Sequence, residues 1–162
     1  MESLNGFIRR HASLPKDRFL GEFPHPFLAS RQKPSGAEAL FPGSWVIPIK
    51  KRSKEVLGDS IALGRAGDQD IRIEHDSVSK HHCDILVSSA DIRIADSNST
   101  NGTFVNGVRL TPHAPHLLRA GDRIGFGETL VFYFFPAPEL HDLLFGKKAV
   151  RPPEGAPPVE KR

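Results

Sequence analysis

The sequence predicts an all-β fold, a β-sandwich of short antiparallel strands. Between residues 45 and 135, short stretches of alternating apolar and polar residues are separated by turn residues at close, even spacing. That pattern is typical of a sandwich rather than of a helical protein. Within this region Asn106-Gly107 separates two such stretches, and this dipeptide is a strong signal for a two-residue hairpin.

Each predicted strand is short and is bounded by turn residues. Trp45, Ile47 and Ile49 alternate with their neighbours, and Ser60–Leu63 is a short apolar run. The remaining strand-like stretches are residues 84–87, 91–94, 104–105, 108–110, 123–126 and 130–135.

The last predicted strand, Leu130–Phe135, is apolar on both faces. One face can meet the interior of the sandwich, and the other face needs a cover. Two segments could supply it. Pro138–Phe145 predicts a short helix with an apolar stripe, and Phe19–Leu28 is rich in Phe and Leu. We expect at least one of them to lie on the sandwich.

Composition divides the chain into three regions. Residues 1–43 are predicted to be an irregular N-terminal extension that is partly packed, because prolines interrupt any long periodicity. Residues 44–136 form the predicted β domain. Residues 137–162 contain the short helix and then a proline-rich tail that is predicted to be disordered. The prolines that interrupt the N-terminal region are Pro15, Pro24, Pro26, Pro34 and Pro42.

Composition and charge exclude several classes of protein. No stretch approaches the roughly 20 apolar residues that a membrane helix needs, so no membrane association is expected. Cys83 is the only cysteine, so an internal disulfide is impossible and a cytoplasmic location is favoured. Residues 45–135 contain eleven Lys/Arg and eleven Asp/Glu. This neutral balance argues against nucleic acid as a partner.

Four short motifs follow one another in the predicted β domain: Gly64-Arg65, Ser79-Lys80-His81-His82, Ser99-Thr100-Asn101-Gly102-Thr103 and Asn106-Gly107. In this order and on an all-β background they resemble the forkhead-associated (FHA) domain family, over about residues 44–136. Lys80 departs from the pattern, because the family usually has Arg there.

The resemblance implies a sandwich whose ligand loops cluster at one end and bind a phosphothreonine peptide. Arg65 and Ser79 are expected to bind the phosphate, with Lys80 nearby. Thr100 and Asn101 are expected to hold the phosphothreonine and the peptide backbone. The resemblance also implies four residues that support the site structurally: Gly64, His82, Gly102 and Asn106. Among them, His82 is expected to tie the ligand loops together.

The residue types suit that ligand chemically. A phosphothreonine carries about −1.5 to −2 charges and three acceptor oxygens, so its site needs a fixed cation and several donors. Arg65 offers a planar, always-charged fork, and Ser79 offers a hydroxyl. The Asn101 side chain both donates and accepts, which suits an extended peptide backbone.

We expect no catalytic residue, no metal and no cofactor. No base is paired with a nucleophile in the sequence motifs. His81-His82-Cys83 resembles a metal-binding run, but adjacent strand residues point to opposite faces and cannot share one ion. A catalytic domain is also not expected within 162 residues that already hold a sandwich.

Two functions remain open from the sequence. The first is a phosphothreonine-peptide-binding adaptor in Ser/Thr kinase signalling, which docks in trans onto a Thr-phosphorylated protein. The second is a phospho-independent interaction or scaffold protein, for which a homodimer formed through its Phe-rich flanks is one arrangement. The ligand is expected in trans because the threonines are confined to the β domain, at Thr100, Thr103, Thr111 and Thr129.

Overall fold

The computed structural model describes residues 2–30, 45–53 and 60–146. These residues form twelve strands and three short helices. The strands are β1 (Glu2–Ser3), β2 (Phe27–Ser30), β3 (Trp45–Pro48), β4 (Ser60–Gly64), β5 (Ile71–Arg72), β6 (Cys83–Val87), β7 (Ile92–Asp96), β8 (Thr103–Val105), β9 (Val108–Arg109), β10 (His116–Leu117), β11 (Arg123–Phe126) and β12 (Leu130–Phe135). The helices are α1 (Leu4–His11), α2 (Lys16–Glu22) and α3 (Ala137–Phe145).

The strands form two sheets. The larger sheet has seven strands in the order β1-β3-β2-β12-β11-β8-β9, and the smaller has five in the order β10-β7-β6-β4-β5. All described pairs are antiparallel except β4 with β5. Buried residues of both sheets, such as Phe132 in the larger and Ile85 in the smaller, belong to one hydrophobic core. The predicted β-sandwich is therefore confirmed.

The N-terminal segment is more regular than predicted. Strand β2 lies between β3 and β12 in the larger sheet, with Leu28 opposite both Ile47 and Phe134. The prolines mark boundaries instead of preventing structure: Pro26 stands directly before β2, where its carbonyl accepts a bond from the Ile49 N–H at 2.8 Å. Residues 2–30 thus contribute a central strand to the sandwich, and the expectation of an irregular extension is corrected for them.

Of the two segments proposed as covers for the last strand, the C-terminal helix lies on its outer face, whereas Phe19–Leu28 does so only in part, because Phe27 and Leu28 belong to β2 and pair with β12 within the sheet. In β12, Phe132 and Phe134 face the core between the sheets, whereas Phe135 belongs to a second apolar cluster. Phe19 of α2 and Leu140 of α3 are buried in that second cluster. The helices therefore form a third layer on the larger sheet, as the apolar character of both β12 faces requires.

Some segments discussed in the sequence analysis lie outside the residues that the structure describes. Pro34, Pro42 and the proline-rich tail after residue 146 are among them, so the disorder of the tail stays a prediction. Among the described residues, no helix is both long and apolar enough to cross a membrane.

Candidate ligand-binding site

Arg65 follows β4 directly and lies against the loop that precedes β6. Its backbone N–H donates to the Ser79 carbonyl at 2.9 Å, and the next N–H, of Ala66, donates to the Lys80 carbonyl at 3.1 Å. Gly64 makes this approach possible, because a Cβ built there would lie 2.1 Å from the Lys80 carbonyl oxygen. The two loops are thus held together through their backbones.

The β7–β8 loop joins the same group. The Thr100 N–H donates to Ser79 Oγ at 3.0 Å, and Asn101 Nδ2 donates to the Ser77 carbonyl at 3.2 Å. Hydrogen bonds thus connect loop residues that lie far apart in the sequence, and the other site residues are their neighbours in the chain. The structure brings together all five residues predicted to touch the ligand: Arg65, Ser79, Lys80, Thr100 and Asn101.

The site presents cations that no acidic side chain neutralises. Arg65 and Lys80 are exposed, and neither has an ion-pair partner among residues 2–30, 45–53 and 60–146. Arg65 Nε donates to the Val78 carbonyl at 2.9 Å, which fixes the plane of the guanidinium and leaves its terminal amino groups for an anion. A fixed, charged fork of this kind suits a phosphate.

Ser79 has a hydroxyl proton to offer. Its Oγ accepts the Thr100 N–H, and its backbone N–H is engaged by the ring of His82. Because the hydroxyl oxygen accepts in that contact, its own proton remains available to donate to an acceptor that enters the site. Ser79 is half-buried, whereas Arg65 and Thr100 beside it are exposed.

His82 ties the loops from underneath, as the resemblance implied. The ring is fully buried; its Nδ1 accepts the Ser79 N–H at 3.0 Å, and its Nε2 lies 3.1 Å from the Gly102 carbonyl. Since Nδ1 must accept, the neutral ring carries its proton on Nε2 and donates it to Gly102. Burial lowers the pKa of His82 below its ordinary value, against a smaller opposing effect of the Gly102 carbonyl.

The buried carboxylate of Asp96 organises the β7–β8 loop. One oxygen, Oδ2, accepts the Ser99 N–H at 3.0 Å, and the other accepts the hydroxyls of Ser99 at 2.5 Å and Thr103 at 2.6 Å. Ser99 Oγ in turn accepts the Gly102 N–H at 3.0 Å. Burial raises the pKa of Asp96, but these donors outweigh it, and the net pKa is lowered. The loop that carries Thr100 and Asn101 is therefore built around a charged anchor.

Two supporting residues were missed by reasoning from the sequence. Asp96 was not among the residues expected to support the site, although a serine three residues after an aspartate is a signal for local side-chain-to-backbone bonding. Ser77 was not singled out. Its Oγ donates to the Phe126 carbonyl at 2.8 Å and its own carbonyl receives Asn101, so it connects the site to the larger sheet.

Asn106 supports the hairpin at the opposite end of β8. It has φ 51° and Gly107 has φ 84°, the left-handed geometry that a two-residue hairpin turn requires. Its Nδ2 donates to Asp122 Oδ1 at 3.0 Å, and its Oδ1 accepts the Arg123 N–H at 3.0 Å. Asn106 thus lies at the end of β8 away from the ligand loops, whereas Gly102 lies directly in them.

No group of three or more His, Cys, Asp or Glu side chains in the described part of the chain is arranged to hold a metal ion. The only cysteine, Cys83, is fully buried, and burial raises the pKa of its thiol well above the ordinary value. The exposed charges of Arg65 and Lys80 favour an anionic ligand at the site.

Known proteins resemble the chain in both sequence and fold. Residues 61–127 match the sequence model of the FHA domain. The chain is 32% identical over 125 residues to the glycogen accumulation regulator GarA of Mycobacterium tuberculosis, which covers 73% of this chain and 75% of that protein. It is 30% identical over 109 residues to the oxoglutarate dehydrogenase inhibitor of Corynebacterium glutamicum, with 64% and 74% covered.

A solved structure agrees with these relatives. The FHA domain of an Arabidopsis thaliana hypothetical protein has a TM-score of 0.54 and 26% sequence identity to this chain, and the match covers 68% of this chain and 84% of that one. The sequence motifs, the similarity of fold and the extent of the match to GarA lead to one conclusion. The chain belongs to the FHA domain family.

Proposed function

We propose that this protein is an adaptor that binds phosphothreonine-containing segments of partner proteins in Ser/Thr kinase signalling. The observation that carries the proposal is the exposed guanidinium of Arg65, which has no ion-pair partner among the described residues and is oriented by its bond to the Val78 carbonyl. The Arg65 backbone N–H is bonded to the carbonyl of Ser79, the residue that supplies a hydroxyl. A phosphate dianion needs this combination of fixed charge and donors.

Lys80, which follows Ser79 in the chain, adds a second cation to the site. It is exposed and has no acidic partner among the described residues. A lysine supplies a point charge rather than a planar fork, so it strengthens attraction to phosphate without fixing its orientation. Orientation then rests on Arg65 and on the hydroxyl of Ser79.

Asn101 is suited to hold the peptide backbone next to the phosphate. Its side chain is exposed and anchored by the bond from Nδ2 to the Ser77 carbonyl. That bond leaves the side-chain oxygen free to accept, and Nδ2 retains a second proton to donate. An extended peptide offers both an N–H and a carbonyl to such an amide.

The relatives support a regulatory, non-catalytic role. One is a regulator of glycogen accumulation and another is an inhibitor of oxoglutarate dehydrogenase. The proposal for this chain is that it acts likewise by binding and not by catalysis. Its ligand is a phosphothreonine of another molecule, because residues 1–44 and 136–162 contain no threonine.

A pull-down from a phosphopeptide library tests the proposal. The wild-type protein is expected to enrich phosphothreonine peptides, and Arg65→Ala is expected to enrich none. Enrichment of unphosphorylated peptides by both proteins would instead favour the phospho-independent scaffold.

A further inference from the structure

Arg109 is a third cation at the edge of the site, and the sequence motifs did not mark it. It lies in β9, opposite Phe104 of β8, and its guanidinium carbon is 6.0 Å from the centre of the Phe104 ring. A Cβ built on Gly102 would lie 2.8 Å from Arg109 Nε and 3.0 Å from its Cζ. The guanidinium therefore rests against the backbone of Gly102, the residue that follows Asn101.

The position of Arg109 is defined, and none of the described ion pairs involves its charge. The side chain lies between the Phe104 ring and Gly102, which restricts its freedom before any ligand arrives. Arg109 is exposed and forms no ion pair with the acidic side chains that the structure describes. Because no carboxylate in the described part of the chain is paired with it, the charge of Arg109 stays available to an anionic ligand.

The backbone beside Arg109 has no groups left for a ligand. The Gly102 N–H donates to Ser99 Oγ, and the Gly102 carbonyl accepts from both His82 Nε2 and the Gly127 N–H. A peptide that passes Asn101 on this side would find no free hydrogen-bonding group on Gly102, and the polar group that lies against Gly102 there is the guanidinium of Arg109. A guanidinium matches a carboxylate best, because it can donate two parallel bonds to it.

We propose that Arg109 selects phosphothreonine segments that carry an acidic residue on the side of the phosphothreonine that passes Asn101. This inference rests on the proposed function and adds to it the chemical class of the partner. The ligand is an acidic peptide with two anionic groups: the phosphate is held at Arg65 and the carboxylate at Arg109.

The test uses a library-selected phosphothreonine peptide in which each position, within four residues on either side, is made Glu or Gln in turn. We expect the full-length wild-type protein to prefer Glu over Gln by about two- to fivefold, the range of an exposed charge pair, at one or more positions that all lie on the same side of the phosphothreonine. Arg109→Gln should abolish that preference, and Arg109→Lys, which keeps the charge, should retain part of it.

Arg123→Gln is the matched control. Arg123 is also exposed, but it lies at the Asn106 end of the hairpin, so its loss should leave the preference for Glu unchanged. Equal affinity for Glu and Gln peptides in the wild type, or a preference that survives Arg109→Gln, would overturn the inference while leaving the proposed function intact. Failure of every phosphopeptide to bind the wild type would overturn both.

Discussion

The backbone N–H of Ser79 donates to Nδ1 of His82 across 3.0 Å. A residue that is proposed to bind the phosphate is therefore hydrogen-bonded directly to a fully buried ring of the core. The other ring nitrogen of His82 reaches Gly102 in the β7–β8 loop, and the ring packs edge-on against Phe126 at 5.4 Å. One buried side chain thus fixes the relative positions of two ligand loops and anchors both to the larger sheet.

His82→Ala should lower both stability and affinity. The change leaves the Ser79 N–H and the Gly102 carbonyl without this partner and opens a void in the core. We expect a loss of roughly 2–4 kcal/mol in the free energy of unfolding. Denaturant titration measures it, with the exposed His116→Ala as control. A melting curve equal to that of the control would show that His82 does not hold the loops.

Stability without ligand should fall as the pH drops below about 6.5, the ordinary value of histidine. Burial lowers the pKa of His82 in the folded state. The neutral ring therefore stabilises the fold fully above the ordinary pKa, and this stabilisation is lost as the pH falls towards the lowered one. Protonated Nδ1 could no longer accept the Ser79 N–H.

Nitrogen chemical shifts of His82 and melting temperatures between pH 7.5 and 5.5 test this prediction. We expect a neutral ring with its proton on Nε2 at pH 7.5, and a falling melting temperature below pH 6.5. A ring already charged at pH 7.5 would contradict the proposed hydrogen-bond pattern. The measurement omits ligand because a phosphate group titrates in the same range, with a second pKa of about 6.

Gly64→Ala should damage the site through the backbone. The new Cβ would lie 2.1 Å from the Lys80 carbonyl oxygen and 2.8 Å from its carbon, so the two loops must move apart. We expect a destabilisation of roughly 1–3 kcal/mol and weaker peptide binding. Gly67→Ala in the following loop is the control, because nothing lies within 4 Å of its Cβ. Similar behaviour of the two variants would argue against the close approach.

Deletion of residues 1–43 should prevent folding. It removes β2 from between β3 and β12 and leaves both strands without their partner in the larger sheet. Deletion of residues 1–24 keeps β2 and removes only β1, α1 and α2. The shorter deletion should give a folded but less stable protein that binds phosphopeptide as the full chain does.

Circular dichroism melts and peptide titrations of both deletions are the measurements. A cooperative melt of the longer deletion at the wild-type temperature would contradict the central position of β2. Loss of binding in the shorter deletion, with folding retained, would show that α1 or α2 takes part in the site.

Much of the site could be predicted from the sequence, because the four motifs occur in order on strand-like stretches. The Asn106-Gly107 hairpin and the outer helix α3 were predicted from local chemistry alone. Strand β2 was not, because Phe27–Ser30 has only four residues and stands directly after Pro24 and Pro26. Its strand geometry comes from pairing with β3 and β12, which no local pattern reveals.

The local pattern Asp96-x-x-Ser99 signals a bond within the loop, but it does not reveal the whole Asp96 network. The carboxylate is buried, and its role depends on Ser99 and Thr103, which curl back to it only once the loop has formed. The position of Arg109 against Gly102 likewise follows from the register of β8 with β9, not from spacing along the chain.

Titration calorimetry of Arg65→Ala tests the central claim most directly. The peptide is selected by the wild-type protein and is measured as phosphothreonine, phosphoserine and unphosphorylated forms. Arg65 is exposed, so its loss should change the free energy of unfolding by no more than about 0.5 kcal/mol. Hydrogen bonds to charged groups contribute about 1.5–3 kcal/mol, so affinity for the phosphothreonine form should fall at least about tenfold.

The wild type should bind the phosphoserine form about fourfold more weakly, the equivalent of one buried methyl group at about 0.8 kcal/mol, and the unphosphorylated form not at all. Wild-type affinity that is equal for phosphorylated and unphosphorylated peptide, or that survives Arg65→Ala unchanged, would contradict a phosphate-centred site.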